Sequence, residues 1–261
     1  MSLTVRVLGC GGNLGMGNQT TSFMVYKGDY TNETDIALID GGTGLTRLSL
    51  EDIKRVKDIA ITHSHIDHIT GMCLLVEAFW DETLTLSVHP TLHCSSLVLK
   101  QMEDTIFKPS LWMNLIERKF YEYNEIEDGE THTLTNGITI TAIKVKHSTL
   151  TFGYIVSNES SSFAFTADTC YYEPFWVALF QVKNLKAVIS EVSLQNSLQD
   201  RCDASCHMCP NYLQKGLQFL DKTVKVYASH IKTYCWNKVC EELKQLDREV
   251  IILHDEMVLH F

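Results

Sequence analysis

The 261-residue sequence predicts a mixed α/β protein folded as one domain over residues 1–261. Three observations lead there. Short apolar runs of strand character recur along the chain, with stretches of helical spacing between them. Several of these runs end in a His, Asp or Glu, and ligand-binding groups collect at the carboxyl ends of strands in α/β proteins. No linker rich in Pro, Gly or Ser, no fixed-period repeat and no low-complexity segment divides the chain.

Residues 4–8, 22–26 and 36–39 read as the first three strands. Gly9-Cys10-Gly11-Gly12-Asn13-Leu14-Gly15-Met16-Gly17-Asn18 joins the first two and lacks the Gly-Lys-Ser/Thr ending of a phosphate loop. It leads into a strand, whereas a dinucleotide fingerprint leads into a helix. The stretch is read as a loop near the site. The third strand closes at Asp40 before Gly41-Gly42, and this carboxylate either makes a turn or orients a metal-bound histidine.

Residues 44–57 contain a helix capped by Ser49, and 58–62 form a buried strand. An apolar helix over 71–80 directs Met72, Leu75, Val76 and Phe79 to the core. A strand over 83–89 follows, with His93 in the next helix. Residues 101–121 are amphipathic and aromatic (Phe107, Trp112, Phe120), as a cover for the site or an oligomer contact would be. The acidic residues 122–130 read as a solvated turn. In the second half, runs over 138–146, 162–167, 187–190 and 224–229 deliver His147, Asp168, Glu191 and His230 at their ends. A last strand spans 250–253, and Asp255-Glu256 reads as a hairpin turn. His89, His132 and His260 receive no role.

Composition narrows the class. No apolar run reaches the ~20 residues of a membrane span. The opening residues read as a strand rather than a signal sequence, so a cytoplasmic protein is expected. Nine cysteines, an odd and scattered set, fit reduced thiols better than a disulfide framework. The formal charge of −10 makes nucleic acid an unfavourable partner. A small anionic substrate stays compatible with it, because metal ions reverse the local sign.

The densest chemistry is Thr62-His63-Ser64-His65-Ile66-Asp67-His68-Ile69-Thr70-Gly71. Neutral imidazole with carboxylate is the ligand set of zinc and of harder first-row metals. With the strand-end residues the inventory becomes His63, His65, Asp67, His68, His147, Asp168 and His230. Seven ligands exceed the needs of one tetrahedral zinc and suit two ions with open positions. His63, His65 and His147 are expected on one ion and Asp67, His68 and His230 on the other, with Asp168 bridging. Two ions ~3.5–4 Å apart share a hydroxide nucleophile and clamp a displacement. Zinc is the expected metal, and Mn or Fe suit the same donors.

One motif stands apart from this inventory. Cys202, Cys206 and Cys209 have a C-x3-C-x2-C spacing, which alone suggests an iron–sulfur cluster, but no (β/α) barrel pattern surrounds it. His207 lies inside it and could simply be a solvated histidine at a helix start.

The 62–68 motif, with Asp40 upstream and His147, Asp168 and His230 downstream in order, resembles the metallo-β-lactamase superfamily from end to end. The resemblance implies a four-layer αβ/βα sandwich of two mixed sheets with the site at one edge. Residues 7–12 with 20–22, the 62–71 stretch, Ser190-Glu191-Val192-Ser193, Ser205-Cys206-His207 and Ser229-His230-Ile231-Lys232 are similar to class II cyclic-nucleotide phosphodiesterases and their bacterial relatives. Ile66 replaces their usual Leu, Thr233 replaces a common proline, and Met72-Cys73 and Glu77 depart from their signature.

That resemblance implies a di-metal phosphodiesterase acting on a cyclic 3′,5′-nucleotide, a small anionic phosphodiester, through a metal-bridging hydroxide. It makes Asp67 and His207 the catalytic residues, His207 protonating the leaving oxygen, and it implies a homodimer. Glu191 would orient His207 or His230, and Lys232 would offset phosphate charge. The alternatives are an endoribonuclease similar to the tRNA 3′-processing members, or a thioester or lactone hydrolase. The first should carry an arm insertion and a basic surface, neither evident here. A non-enzymatic metal sensor should have lost ligands, and none is missing.

Overall fold

The computed structural model describes residues 1–15, 17–78, 80 and 89–261. The first half builds β1 (Leu3–Gly9), β2 (Ser22–Lys27), β3 (Ile36–Ile39), β4 (Val56–Ala60), β5 (Thr91–Cys94) and β6 (Glu122–Glu125). Helices α1 (Leu50–Ile53), α2 (Ile66–Ile69), α3 (Met72–Ala78) and α4 (Ser96–Asp104) lie between them. The second half builds β7 (Thr131–Thr133), β8 (Thr139–Val145), β9 (Thr151–Ser157), β10 (Ser162–Phe165), β11 (Leu185–Glu191), β12 (Lys225–Ser229), β13 (Ile251–Ile252) and β14 (Val258–His260). Its helices are α5 (Glu173–Phe180), α6 (Gln199–Ser205), α7 (Pro210–Leu217) and α8 (Trp236–Leu243).

Two sheets of matching design result. One runs β14-β1-β2-β3-β4-β5-β6 and the other β13-β12-β11-β10-β9-β8-β7. Each changes from antiparallel to parallel pairing part-way across, at β3–β4 in the first sheet and β10–β11 in the second. The period of two along each strand explains the layering. Phe23, Val25, Ala37 and Ile39 point inward to meet Phe152, Tyr154, Phe163 and Phe165 of the other sheet. Their neighbours Met24, Ile36, Leu38 and Ile59 point outward under Met72, Leu75, Val98 and Met102 of α3 and α4. On the far side Val188, Val226 and Ala228 lie under Phe175, Trp176, Leu213 and Val239 of α5, α7 and α8. The protein is therefore an αβ/βα sandwich with one apolar layer between the sheets and one beneath each set of helices. Phe23 and Phe165 meet edge to face across the centre at 5.0 Å, a pairing worth roughly 0.5–1.5 kcal/mol beyond its buried area.

Several elements differ from the sequence reading. The helix expected over 44–57 splits into a 3-10 turn at Thr43–Arg47 and α1, capped by Ser49 through a capping box with Asp52. The strand expected over 83–89 lies outside the described residues. His93 sits in β5 rather than a helix, buried against Asp58 of β4 with Nε2 2.9 Å from Oδ1. Part of the acidic 122–130 stretch is the edge strand β6, whose exposed charged side chains show no apolar alternation. Past α4, the 101–121 stretch buries Phe107, Leu115, Phe120 and Tyr121 under the outer face of the first sheet. The turn at Asp255-Glu256 is no hairpin, because β13 belongs to one sheet and β14 to the other. Among the described residues no helix is long and apolar enough to cross a membrane.

The contact between α5 and α7 yields a test. Gly216 of α7 lies so close to the buried Trp176 ring that an added Cβ would overlap it. Gly216→Ala should gain up to about 1 kcal/mol of helix propensity yet lose about 1–3 kcal/mol to overpacking. The melting temperature should fall by a few degrees; an unchanged or raised value would mean that the helices can shift apart freely.

Candidate metal centre

Strand ends from both sheets meet at one edge of the sandwich. After β4 the chain stays extended through His63 to His65, and the single turn of α2 then places Asp67 and His68 beside them. Asp40, Ala167 and His230, just past β3, β10 and β12, have φ of 59°, 52° and 58°. Left-handed backbone costs a non-glycine residue roughly 1–2 kcal/mol. Here it turns the chain sharply at the point where each strand delivers its side chain. Backbone bonds hold these turns, Asp40 N–H donating to Ala60 O at 2.9 Å and His230 N–H to Cys10 O at 2.7 Å.

All seven residues of the sequence inventory are brought together. His63, His65, His147 and Asp168 form one group and Asp67, His68, Asp168 and His230 a second, with the ligand atoms of each group within 4.8 Å of one another. Asp168 belongs to both. Its Oδ2 lies 3.9 Å from His63 Nε2 and His147 Nε2 and 3.3 Å from His230 Nε2, while Oδ1 lies 3.4 Å from His68 Nε2. His230 Nε2 is also 3.3 Å from Asp67 Oδ2. These side chains are mostly buried, with Asp67 and His65 partly open to solvent.

Four of the five histidines are held through the nitrogen that faces away from the cluster. His68 Nδ1–H donates to Asp40 Oδ2 at 2.7 Å, and His63 Nδ1–H donates to Thr62 Oγ1 at 2.9 Å, whose hydroxyl donates on to Asp40. His147 Nδ1–H donates to the Cys206 carbonyl at 2.9 Å. His230 Nδ1 meets Ser193 Oγ at 3.0 Å, and that hydroxyl donates to Glu191 Oε2 at 2.7 Å. These partners assign the tautomers and aim the opposite nitrogens at one another. His65 Nδ1 and His147 Nε2 are consequently 3.1 Å apart. His63 Nε2 and His68 Nε2 are buried with no hydrogen-bond partner. Orphaned buried nitrogens and crowded lone pairs are unfavourable unless a cation takes them. The donor set fits divalent metal.

Electrostatics agree with that fit. Burial alone would raise the Asp168 carboxyl, but the imidazoles of His230, His68 and His63 outweigh it and hold the group well below the usual carboxylate range. Asp67 is held low in the same way by His230 and His68 against its burial. Burial, then the neighbouring His68, pushes His63 well below the ordinary imidazole value, so it is a neutral donor. Burial also opposes the charged form of His68, yet Asp168 and Asp40 on either side raise it well above. A metal ion there would replace a proton.

Beside the second group stands His207, with Nδ1 2.8 Å from Glu191 Oε1 and its ring stacked on His230 at 5.6 Å. Against its burial, Glu191 raises the His207 pKa. Glu191 does more than the sequence suggests, since it serves His207 through one oxygen and His230, by way of Ser193, through the other. It also accepts the backbone N–H groups of Thr169, Ser193 and Met208 at 2.7, 3.2 and 3.2 Å. Lys232 turns its Nζ onto the Gly12 carbonyl at 2.6 Å and so ties down the glycine-rich loop. Cys202 and Cys209 are buried beneath the helices of the second sheet, and Cys206 acts through its backbone carbonyl; the three thiols do not converge as a ligand group among the described residues.

Two positions received no part in the site from the sequence. Gln101 of α4 accepts from Ser64 Oγ at 2.7 Å and donates to Thr149 Oγ1 at 3.1 Å, bracing the loops on either side of His65 and His147. Asp255 accepts from Cys10 N–H at 3.1 Å and Gln19 N–H at 2.6 Å, clamping both ends of the glycine-rich loop, and pairs with Arg47 at 3.0 Å. No sequence signal marks either, because each acts across a large sequence separation.

Among solved structures, the chain is similar to yeast PDE1 with a TM-score of 0.86 and 15% identity, covering 100% of this chain and 99% of that one. It is similar to the metallo-beta-lactamase fold protein YhfI from Bacillus subtilis with a TM-score of 0.79 and 18% identity, at 100% and 99% coverage. It is also similar to a diphosphatase from the PhnP family with a TM-score of 0.75 and 20% identity, at 100% and 98% coverage. At these identities the likeness is one of fold. A search of curated protein sequences finds no significant match. The sequence itself matches the Beta-lactamase superfamily domain over residues 37–246, from the second residue of β3 to just past α8. That match takes in every residue of the ligand cluster, and the chain belongs to the beta-lactamase superfamily.

Proposed function

We propose that this metallo-β-lactamase-fold hydrolase is a phosphodiesterase with two divalent cations, zinc foremost, acting on a 3′,5′-cyclic nucleotide. The observation that carries the reading is Asp168, one carboxylate shared by two complete groups of ligands. His63, His65 and His147 would hold one cation and Asp67, His68 and His230 the other, with Asp168 a member of both groups. The His207–Glu191 pair beside the second group supplies the acid that a phosphodiester needs for its leaving oxygen. The sequence resemblance to class II cyclic-nucleotide phosphodiesterases supports the substrate class.

When bound, the cations supply Lewis acidity at the phosphoryl oxygens and acidify the attacking water. Asp67, held ionised beside His230 and His68, would accept a hydrogen bond from the attacking water. The His207 imidazolium, fixed at Nδ1 by Glu191, donates its Nε2 proton to the departing sugar oxygen. Glu191 keeps His230 and His207 in register through the same buried carboxylate. The charge of −10 favours a small anion drawn in by the metals over a polynucleotide.

Three measurements test this. Protein loaded with zinc or manganese should carry close to two ions per chain by elemental analysis and hydrolyse 3′,5′-cyclic AMP or GMP faster than bis(p-nitrophenyl) phosphate or pre-tRNA. Folded protein without metal, or cleavage confined to pre-tRNA, would sink the reading. Replacing His207 by Ala should leave both metals in place and lower turnover ~10²–10⁴-fold, the usual contribution of a general acid; undiminished kcat would remove its role. Asp40→Asn should keep the fold yet weaken metal affinity ~10–100-fold in a chelator competition, the usual effect of losing a histidine-orienting carboxylate. Equal affinity would show that His68 needs no such partner.

A further inference from the structure

The glycine-rich loop after β1 and the first turn of α2 line a cavity of about 350 Å³ beside the ligand cluster. Leu14 and Ile66 give it an apolar surface, Asp67 connects it to the centre, and Thr20, Thr43 and Thr70 contribute hydroxyl-bearing side chains. Leu14 and Ile66 are large apolar residues left 70% and 61% exposed among the described residues. The loop that carries Leu14 is held in place. Thr233 donates to Asn13 Oδ1 through N–H and Oγ1 at 2.9 and 2.8 Å, Lys232 holds the Gly12 carbonyl, and Asp255 clamps Cys10 and Gln19. Gly12 approaches the His230 carbonyl so closely that any Cβ would collide with it, so the loop is seated directly on the metal-site strand end.

We infer that this cavity receives the planar heterocyclic base of the substrate, an inference that rests on the cyclic-nucleotide reading above. A base has two apolar faces, which suit Leu14 and Ile66; the Thr20 and Thr43 hydroxyls are bonded to each other's backbone N–H groups. The volume is at the low end of the ~300–1,000 Å³ of small-molecule pockets, enough for one nucleoside and too small for an oligonucleotide. A second cavity, about 500 Å³, flanks the centre at His147; Leu97, Leu150 and Tyr172 give it apolar surface, and Lys144 and Lys146 place two cations on it. Its two cations make it the poorer host for a neutral ring and leave the Leu14 side for the base.

The test uses adenosine 5′-monophosphate as probe and ribose 5-phosphate as the same ligand without its base, both titrated calorimetrically into metal-loaded protein. The parent should bind the nucleotide at least tenfold more tightly. Leu14→Ala and Ile66→Ala, with melting temperature and metal content as in the parent, should each lose about tenfold for the nucleotide, the effect of uncovering roughly two methylene groups. Neither should change affinity for ribose 5-phosphate. Equal affinities in the parent, or variants that weaken both ligands alike, would overturn the inference. If the preference for the base depends on Leu14 and Ile66 while no cyclic nucleotide is hydrolysed, the base site stands and the phosphodiesterase reading falls.

Discussion

Burying a carboxylate is unfavourable unless hydrogen bonds surround it, and Asp40 and Glu191 meet that requirement by gripping the histidines of the centre. Asp40 accepts from Thr62 N–H, the Thr62 hydroxyl and His68, and through Thr62 it also reaches His63. Glu191 accepts three backbone N–H groups, the Ser193 hydroxyl and His207. One carboxylate lies in the first sheet's half and the other in the second. Each converts a costly buried charge into the fixed orientation of two imidazoles. The inward nitrogens can be crowded together only because the outward ones are held.

The symmetry of the sandwich explains why such a centre forms at its edge. In each half the parallel strands finish level with one another, as the register Ile39↔Ala60 and Glu191↔Ser229 shows. A residue just beyond such a strand end leaves the apolar layer and has no ladder partner. Left-handed turns at Asp40, Ala167 and His230 bend the backbone there. Their strain is tolerated because the core on one side and the hydrogen-bonded ligands on the other leave the chain no alternative.

The chain also closes on itself around the site. Asp255, in the crossover that carries the last strand into the first sheet, fixes a loop some 240 residues earlier in sequence, and Lys232 and Thr233 fix the same loop from the end of β12. The glycine-rich loop is thus a shaped wall rather than a slack connection.

By itself the sequence determined the family, the strand-end pattern and the identity of the residues that meet at the edge. Covalent neighbours such as His63, His65, Asp67 and His68 declare themselves by density, and His147, Asp168 and His230 by their place after apolar runs. Those signals are local, so periodicity and spacing display them. Only the tertiary structure decided what depends on distant partners. It moved His93 into a strand, turned residues 122–125 of the acidic stretch into the sheet edge β6, and made Asp255 a clamp instead of a hairpin turn. It also showed Glu191 serving both His207 and His230, and Lys232 spent on the Gly12 carbonyl. A side chain's hydrogen-bond partner is chosen by proximity in the folded chain, and no pattern along the sequence records it.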